Sequence, residues 1–406
     1  MTEVQPWLTI LGWGEHGTEG LLPASLQALA QAELIVGAQR HLAHLPSTLK
    51  TPQQAWPVPF QEGIAKVLQH RGRRVVVLVS QDPFWYGAGS VLSRHLDRAE
   101  WVALPAPSSF SWAAAELGWP LEHTVCVGLH AAPITRLRPH LAPGQRILAL
   151  LRSGAQAQSI AQWLTEAGFG ASTLTLMHAL GSAQPSVVQV RADAAEVPDL
   201  GHPVAMGIAV SGLGVSLSQS SGRADTWFDH DGQFSKRPMR ALTLSALAPR
   251  PGELLWDIGT GSGAIAIEWL LSHPSTQAVA FERDETRLNR ALHNAAQLGV
   301  DRLQGVLGTA PQVLQGQPQP HAVFIGGGVS EAMFTQLQAC CAAGTRLVVN
   351  AVTLESETLL LQYQQRWGGE LLRIDLASNQ PLGRFQGWQA AHPVLQWVTE
   401  LPEASL

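Results

Sequence analysis

The feature that most restricts the fold of this chain is the stretch LLWDIGTGSGAIAIEWL, residues 254–270. An apolar run typical of a strand leads into Gly259, Gly261 and Gly263, and an apolar helical pattern follows. Glycines there let the backbone turn tightly from strand to helix and let a ligand approach, because a Cβ would intrude. The stretch predicts a strand–turn–helix unit of an α/β domain, although a purely structural turn stays open as an alternative.

Two carboxylates accompany this glycine turn. Asp257 stands two residues before the first glycine, and Glu282 ends the next predicted strand, where an acidic side chain can accept both hydroxyls of a ribose. The spacing G-x-G-x-G differs from the G-x-G-x-x-G of dinucleotide proteins, which disfavours the alternative of a nicotinamide-dependent reductase. No Gly-Lys-Ser/Thr follows, so a P-loop is excluded. We therefore predict a cofactor site made by Asp257, Gly259, Thr260, Gly261, Ser262, Gly263 and Glu282.

Composition excludes several other classes of protein. The 406 residues carry a net charge of −5 without long runs of like charge, which argues against nucleic-acid binding. The beginning MTEVQPWLTI lacks a signal-peptide pattern, and no window approaches the roughly 18 apolar residues of a membrane span. Three cysteines make no disulfide framework, and neither C-x-x-C nor H-E-x-x-H is present to bind a metal. We expect a cytoplasmic enzyme without a metal.

The strand and helix patterns divide the chain into two α/β domains. In the first half, apolar runs begin at Leu8, Val75, Val125 and Ile147 and alternate with helical patterns. Gly, Ser and Pro then become frequent, and strand and helix patterns resume from LLWDIG onward. The predicted organisation is a first domain over residues 1–205, a linker over 206–222 and a doubly wound parallel sheet within 223–406.

The second half resembles a known class of methyltransferases. The combination Asp-x-Gly-x-Gly-x-Gly with an acidic second strand looks like the S-adenosylmethionine-binding face of Rossmann-like class I methyltransferases. More closely, SKRPMRALTLSALAPRPGELLWDIGTGSG, GTAPQVL, HAVFIGGG and VVNAVTLESE resemble the decarboxylating corrin-ring methyltransferase domain of cobalamin biosynthesis, over about residues 213–400. The chain departs from that pattern at SKRPMR, where Thr-Lys-x-Glu-Val-Arg is common, and at Thr309, where an acidic residue is common. The resemblance implies cofactor contacts from Ser235, Gly259 to Gly263, Glu282 and Ala310.

The first half resembles the tetrapyrrole methylases, a fold of two α/β subdomains. LGWGEHGTEGLLPASLQALAQAELIVGAQRHL is similar to their opening, where the first strand ends in Gly-x-Gly-Pro-Gly, but Glu15 and His16 replace the proline and the next glycine. VSQDPFWYGAGS resembles their Ser-Gly-Asp-Pro-x-x-Tyr-Gly turn, and LPAPSSFSWAAAELGWP resembles a further cofactor segment. The resemblance implies cofactor contacts from Gly14, Asp82, Ser108 and Ser109, with Trp85 as a packing residue.

Structural explanations of these first-half motifs stay open beside the functional ones. Asp82 followed by Pro83 is typical of a turn. Ser108 and Ser109, placed before an alanine-rich helix, are typical helix N-caps. His16, in a glycine-rich loop, is more often a solvated turn residue than an acid or a base.

Two methyltransferase domains on one chain indicate one substrate that is methylated twice. The fused pair resembles enzymes of cobalamin biosynthesis that use S-adenosylmethionine to methylate precorrin-6B at C5, in the first domain, and at C15, in the second, with decarboxylation of the C12 acetate. The resemblance implies a small-molecule corrinoid with many carboxylates as the substrate, and we expect a homo-oligomer. An alternative is a protein that binds S-adenosylmethionine or a tetrapyrrole and is catalytic only in its second domain. Arginines suit carboxylates, and the candidates are Arg237, Arg240 and Arg384.

Overall fold

A computed structural model describes residues 6–202 and 204–403 of the chain. These residues form two compact units. The first unit holds the described residues before Thr135 together with His140–Val215, and the second holds Thr135–Pro139 and the described residues from Ser216 onward. No helix among the residues described is long and apolar enough to cross a membrane.

The first unit begins with a parallel five-stranded sheet of order β3-β2-β4-β1-β5. The sheet is buried on both faces, which explains why its strands read as continuous apolar runs rather than as alternating patterns. Its elements are β1 (Leu8–Trp13), α1 (Pro23–Gln31), β2 (Leu34–Gly37), α2 (Gln39–Ala43), β3 (Gln53–Ala55), α3 (Phe60–Leu68), β4 (Val75–Ser80), α4 (Gly89–Leu92) and β5 (Trp101–Leu104).

A second, mixed sheet of order β6-β7-β10-β8-β9 completes the first unit. Its elements are α5 (Ser109–Leu117), β6 (Val125–Gly128), β7 (Arg146–Leu151), α6 (Ala155–Glu166), β8 (Thr173–His178), β9 (Ser186–Arg191) and β10 (Val204–Ala209). The prediction of two α/β subdomains in the first half is confirmed.

Strand β10 corrects the predicted position of the linker. It is the central strand of the second sheet, antiparallel to both β7 and β8, and Met206 and Ile208 are fully buried. Residues 206–209, predicted to begin the linker, are therefore part of the first unit, which continues to Val215. The prediction was wrong because it took the Gly- and Pro-rich stretch as the end of the first domain. One more strand of that domain, β10, follows this stretch.

The second unit is built on a seven-stranded sheet of order β13-β12-β11-β14-β15-β19-β16. Strands β13 to β15 in that order are parallel, whereas β19 is antiparallel to both β15 and β16. Its elements are α7 (Arg237–Leu247), β11 (Leu254–Ile258), α8 (Ala264–Ser272), β12 (Gln277–Glu282), α9 (Glu285–Gln297), β13 (Gln304–Leu307), β14 (Ala322–Ile325), α10 (Glu331–Cys340), β15 (Arg346–Ala351), α11 (Leu354–Trp367), β16 (Glu370–Ile374), β17 (Ala377–Leu382), β18 (Phe385–Ala390) and β19 (Val394–Glu400).

The order of these strands positions a ligand site. The connections leave β11 in both directions along the sheet, so the carboxyl ends of β11 and β14 flank the point where the strand order reverses. Open α/β sheets bind ligands in the crevice at such a point. Leu255 and Trp256 alternate between apolar clusters on the two faces of the sheet, which confirms the predicted doubly wound architecture.

The role of β10 predicts where the chain can be cut. A fragment that ends at Val215 keeps the central strand, and we expect it to be soluble and to unfold cooperatively. A fragment that ends at Leu200 leaves the edges of β7 and β8 unpaired, so we expect aggregation or loss of cooperative unfolding. Size-exclusion chromatography and thermal unfolding followed by circular dichroism compare the two fragments. Equal stability of both would contradict the central place of β10.

Candidate functional sites

The glycine turn after β11 adopts left-handed backbone conformations. The φ angles of Gly261 and Gly263 are +58° and +78°. A Cβ on Gly263 would lie 2.9 Å from the Cβ of Ala291 in α9, so this glycine allows two helices to pack closely. A Cβ on Gly261 would meet only the carbonyl oxygen of Gln233, at 3.6 Å. The space above Gly261 is therefore open to a ligand.

Glu282 lies beside this turn, as predicted. Its buried carboxylate accepts hydrogen bonds from the backbone N–H of Gly261 at 3.1 Å, of Arg283 at 2.9 Å and of Asp284 at 3.2 Å. These bonds fix the carboxylate at the carboxyl end of β12. Because each carboxylate oxygen has more than one lone pair, Glu282 can hold the turn and still accept from a ligand hydroxyl.

Asp257 is buried directly beneath the turn. Its Oδ2 accepts from Thr260 Oγ1 at 2.7 Å and from the backbone N–H of Ala266 at 3.1 Å. Burial raises the pKa of Asp257 to about 6, the two hydrogen bonds oppose that rise, and the nearby Glu282 adds to it. Asp257 Oδ1 and Ser262 Oγ are buried without a hydrogen-bond partner among the described residues. Such atoms below an open turn suit a polar ligand or its bound water.

Arg240 corrects one prediction. Its side chain is 0% exposed, and its guanidinium donates to Glu268 Oε1 at 2.9 Å, to Asp225 Oδ1 at 2.7 Å and to the carbonyl oxygens of Ser235 and Arg223. A guanidinium with these partners is not available to a substrate carboxylate, so the prediction of Arg240 as a substrate-positioning residue is wrong. Arg240 instead connects α8 to the loop that carries Ser235, and this loop is the predicted cofactor segment.

Asn294 is a residue that the sequence analysis missed. Its Nδ2 donates to the carbonyl oxygens of Asp229 and Ser262, both at 2.9 Å, and its Oδ1 accepts from the Asp229 N–H at 3.0 Å. One side chain thereby joins the glycine turn to the loop before α7. The signal was present, because Asn294 is a polar residue on the helix face that buries Leu288 and Ala291.

The other residues predicted for the second cleft occupy different environments. Ala310 is partly buried and packs against the apolar cluster beneath its loop. Arg237 is exposed at the beginning of α7. Arg384 lies in the turn of the exposed β17–β18 hairpin, with its guanidinium 5.1 Å from the centroid of the Phe385 ring. Since β16 runs parallel to β15, this hairpin leaves the sheet at the same edge as the glycine turn.

The first unit contains a cavity of about 360 Å³ between its two sheets. Loops at the carboxyl ends of β1 and β4 form one side of it, and the beginning of α5 and the second sheet form the other. The predicted residues that line this cavity are Asp82, Trp85, Ser108 and Ser109. Further lining residues that the sequence analysis did not select are Glu15, Arg40, Ser80, Tyr86, His130 and His202.

The structural explanations of the first-half motifs hold for Asp82 and Ser108, and the cofactor contacts stay a prediction. Asp82 Oδ1 accepts from the Phe84 N–H at 2.8 Å, which is a turn contact. Ser108 Oγ accepts from the Ser111 N–H at 3.0 Å and caps α5. Ser109 Oγ donates to the side-chain oxygen of Gln81. The turn and the cap thus present Asp82, Ser108 and Ser109 to the cavity.

Aromatic rings form one wall of the same cavity. The ring centroids of Trp85 and Phe110 are 5.0 Å apart, and Tyr86 lies 6.0 Å from Phe110 and 6.0 Å from His130. Trp85 and Tyr86 are partly exposed, so they present ring surface to a bound molecule. This wall suits the flat face of an aromatic or conjugated ligand.

Gly14 is a second correction. It is buried, a Cβ on it would lie 2.7 Å from Cε1 of His16, and it does not line the cavity. The His16 ring folds back over Gly14 and Gly20 and fills the space into which Gly14 was predicted to admit the cofactor. Glu15, between these two residues, lines the cavity instead. His16 is therefore a partly buried packing residue rather than a solvated one.

One α/β unit contains a glycine turn with two buried carboxylates, and the other contains a cavity between two sheets. Together these features define the class as a two-domain methyltransferase. Residues 8–196 match the family model for tetrapyrrole (corrin/porphyrin) methylases, and residues 226–401 match that for the precorrin methyltransferase domain.

Relatives extend the match to the whole chain. The chain is 45% identical over 399 residues to the precorrin-6Y C(5,15)-methyltransferase (decarboxylating) of Sinorhizobium sp, with 97% of this chain and 96% of the relative covered. It is 38% identical over 397 residues to the protein of the same name from Mycobacterium tuberculosis, with 96% and 98% covered. The chain therefore belongs to the family of decarboxylating precorrin-6Y C(5,15)-methyltransferases. A crystal structure of the C-terminal domain of the Rhodobacter capsulatus protein is 52% identical, covers 45% of this chain and 100% of that chain, and has a TM-score of 0.44.

The bonds of Glu282 predict its effect on cofactor affinity. Replacement of Glu282 by Ala removes a charged acceptor, so we expect S-adenosylmethionine to bind the second unit about tenfold to a hundredfold more weakly. Isothermal titration calorimetry of the full chain should show this loss in one of two sites. Glu282→Gln keeps an oxygen for the backbone bonds and should fold better than Glu282→Ala, and thermal unfolding checks this.

The exposed Glu285, three residues further on, offers a matched control. Glu285→Ala should leave both affinities unchanged. If Glu282→Ala bound the cofactor as tightly as Glu285→Ala does, the carboxylate would have no part in the site.

Proposed function

We propose that this chain methylates precorrin-6B at C5 and C15 with S-adenosylmethionine and decarboxylates the C12 acetate, giving precorrin-8 in cobalamin biosynthesis. The observation that carries the proposal is the presence of two candidate sites, a cavity in the first unit and an open glycine turn in the second, on a chain that matches its relatives over nearly their full length. One substrate with two methylation sites explains why both units are kept on one chain.

The second cleft suits S-adenosylmethionine. Glu282 supplies an acceptor for ribose hydroxyls, the space above Gly261 is open, and Asp257 and Ser262 each keep a buried oxygen without a partner among the residues described. When bound, the cofactor supplies an electrophilic methyl group on a sulfonium. The protein's task is to hold the donor and the macrocycle in line, so proximity and alignment carry most of the catalysis.

Decarboxylation belongs to the same unit in this proposal. The bond between the methylene carbon of the acetate and its carboxylate breaks, carbon dioxide leaves, the conjugated macrocycle accepts the electron pair, and a proton then completes the methyl group at C12. The protein therefore needs to hold that arm away from stabilising ion pairs and to admit a proton. Arg237 and Arg384 are the remaining candidates for pairing with the other carboxylates, because both are exposed and Arg384 lies on a hairpin at the carboxyl edge of the sheet.

The first cleft is proposed to methylate C5. Trp85, Tyr86 and Phe110 give it an apolar wall, while Asp82, Ser108 and Ser109 give it a polar one. A flat macrocycle and a polar cofactor need such a pair of surfaces.

A second candidate function for the first unit is binding without turnover. The His16 ring over Gly14 favours it, because the turn of the first strand is closed where the resemblance implied a cofactor contact. The cavity lined by Asp82 and Ser109 lies beside that turn and stays open, which favours catalysis.

A homo-oligomer in the cytoplasm stays a prediction. The hairpin of β17 and β18 exposes Leu382, Phe385 and Trp388, and an apolar surface of this kind supports self-association.

The two clefts predict a division of labour that variants can test. Asp82→Ala should damage only the first cleft, so the product should be methylated once and decarboxylated. Gly261→Val places a branched side chain at a φ of +58° in the open space of the second cleft. It should abolish C15 methylation and decarboxylation together, while C5 methylation continues as far as the order of steps allows.

Mass spectrometry of the products compares both variants with the unaltered chain, and thermal unfolding confirms that Gly261→Val is folded. If Asp82→Ala abolished decarboxylation, or if folded Gly261→Val retained it, the assignment of decarboxylation to the second unit would fail. If the first unit only binds, the unaltered chain should add a single methyl group.

A further inference from the structure

The altered turn of the first strand brings an ion pair to the cavity of the first unit. Glu15 Oε1 lies 3.4 Å from Nη1 of Arg40, and Nη2 of Arg40 donates to Ser80 Oγ at 2.8 Å. All three residues line the cavity. Glu15 stands where the tetrapyrrole methylase pattern has a proline. The residue that departs from the pattern is therefore the one that forms the ion pair.

Two contacts fix the guanidinium of Arg40 and leave some of its N–H donors available. Its side chain is 37% exposed, against 18% for Glu15, and the described contacts use only its two terminal nitrogens. A guanidinium has five N–H donors in a planar fork, so Nε and the remaining N–H groups can bind a carboxylate in two-point fashion. The 3.4 Å separation from Glu15 is long for an ion pair and leaves this interaction open to competition.

The other basic groups around the cavity carry little positive charge near neutral pH. Burial, with a smaller effect of Arg40, lowers the pKa of His202, and burial together with Arg152 lowers the pKa of His130. Behind Ser80, burial and then Arg40 lower the pKa of His41 to about 4. Arg40 is the sole arginine or lysine among the described residues that line the cavity. A ligand with several carboxylates therefore meets one permanent cation there.

We propose that Arg40 binds a carboxylate of the macrocycle in the first cleft and that Glu15 positions its guanidinium; this assignment rests on the proposed function. The carboxylate of the methyl donor has the same chemistry as those of the macrocycle. The macrocycle is the better match, because Arg40 lines the same cavity as the aromatic wall of Trp85 and Tyr86, which suits a flat conjugated face. Arg40 is then a substrate-binding residue, and Glu15 is a positioning residue that acts through it.

Steady-state kinetics on the full chain test this assignment. Arg40→Ala should raise the KM for precorrin-6B in C5 methylation by about tenfold to a hundredfold and leave the KM for S-adenosylmethionine within about twofold. Arg40→Lys should recover part of the loss, because an ammonium keeps the charge and lacks the planar fork. Glu15→Gln should raise the same KM by a smaller factor and change kcat little.

Arg74 is the matched control. It is an exposed arginine of the same unit, 3.8 Å from Glu33, and it does not line the cavity. Arg74→Ala should change neither KM. The assignment is overturned if Arg40→Ala leaves the KM for precorrin-6B unchanged, or if it raises the KM for S-adenosylmethionine instead.

Equilibrium binding separates a failure of this assignment from a failure of the proposed function. Precorrin-6B is titrated into the chain in the presence of S-adenosylhomocysteine, so that no methyl group is transferred. Arg40→Ala should weaken one of two binding steps even if the chain turned out to transfer no methyl group to C5. Two unchanged binding steps would overturn the role of Arg40, whereas absent C5 methylation with the weakened step would overturn the proposed function alone.

Discussion

Two buried carboxylates hold the glycine turn between β11 and α8, and the architecture of the second cleft depends on them. Glu282 accepts from the Gly261 N–H, and Asp257 accepts from Thr260 and from the beginning of α8. Both carboxylates are buried, so these hydrogen bonds lie in a medium of low dielectric constant, where they are strong and where their loss is costly. The turn is fixed in a conformation that only glycine adopts without strain, and it stays open to solvent above Gly261.

The loop before α7 is attached to the same centre by two buried contacts. Glu268 on α8 binds Arg240, and Asn294 on α9 binds both the loop and Ser262. Removing one partner of a buried ion pair typically costs about 3–5 kcal/mol, because the other charge is left without compensation. The predicted cofactor segment around Ser235 is therefore ordered by residues that do not reach the cleft themselves. The walls of the first cavity are formed by loops at the carboxyl ends of β1 and β4, by the beginning of α5 and by the second sheet.

Most of the fold and part of the sites could be predicted from the sequence. Apolar runs and the Gly- and Pro-rich stretches between them predict the strands of the parallel sheets. The glycine turn and Glu282 predict the second candidate site. Both kinds of signal are local in the sequence. The place of β10 could not be predicted, because antiparallel pairing with β7 and β8 depends on contacts across more than one element. Arg240 looked like a ligand for carboxylates because sequence shows its charge and hides its burial.

The sequence also hid the surroundings of two residues near the first cavity. Gly14 matched a family pattern, yet the neighbouring His16 fills the space that the pattern leaves free. Arg40 carried no signal, because its contact with Glu15 joins the beginning of α2 to the turn after β1, and the parallel pairing of β1, β4 and β2 brings these two segments together. Residues that bind through tertiary contacts become visible only when the fold is known.

In the proposed function, one chain performs two methyl transfers and one decarboxylation on a single macrocycle. The most direct test incubates the unaltered full chain with precorrin-6B and S-adenosylmethionine that carries a deuterated methyl group, and measures the mass of the product. We expect a product that has gained two labelled methyl groups and lost one carbon dioxide. A final product with a single labelled methyl group, or with its C12 acetate intact, would contradict it.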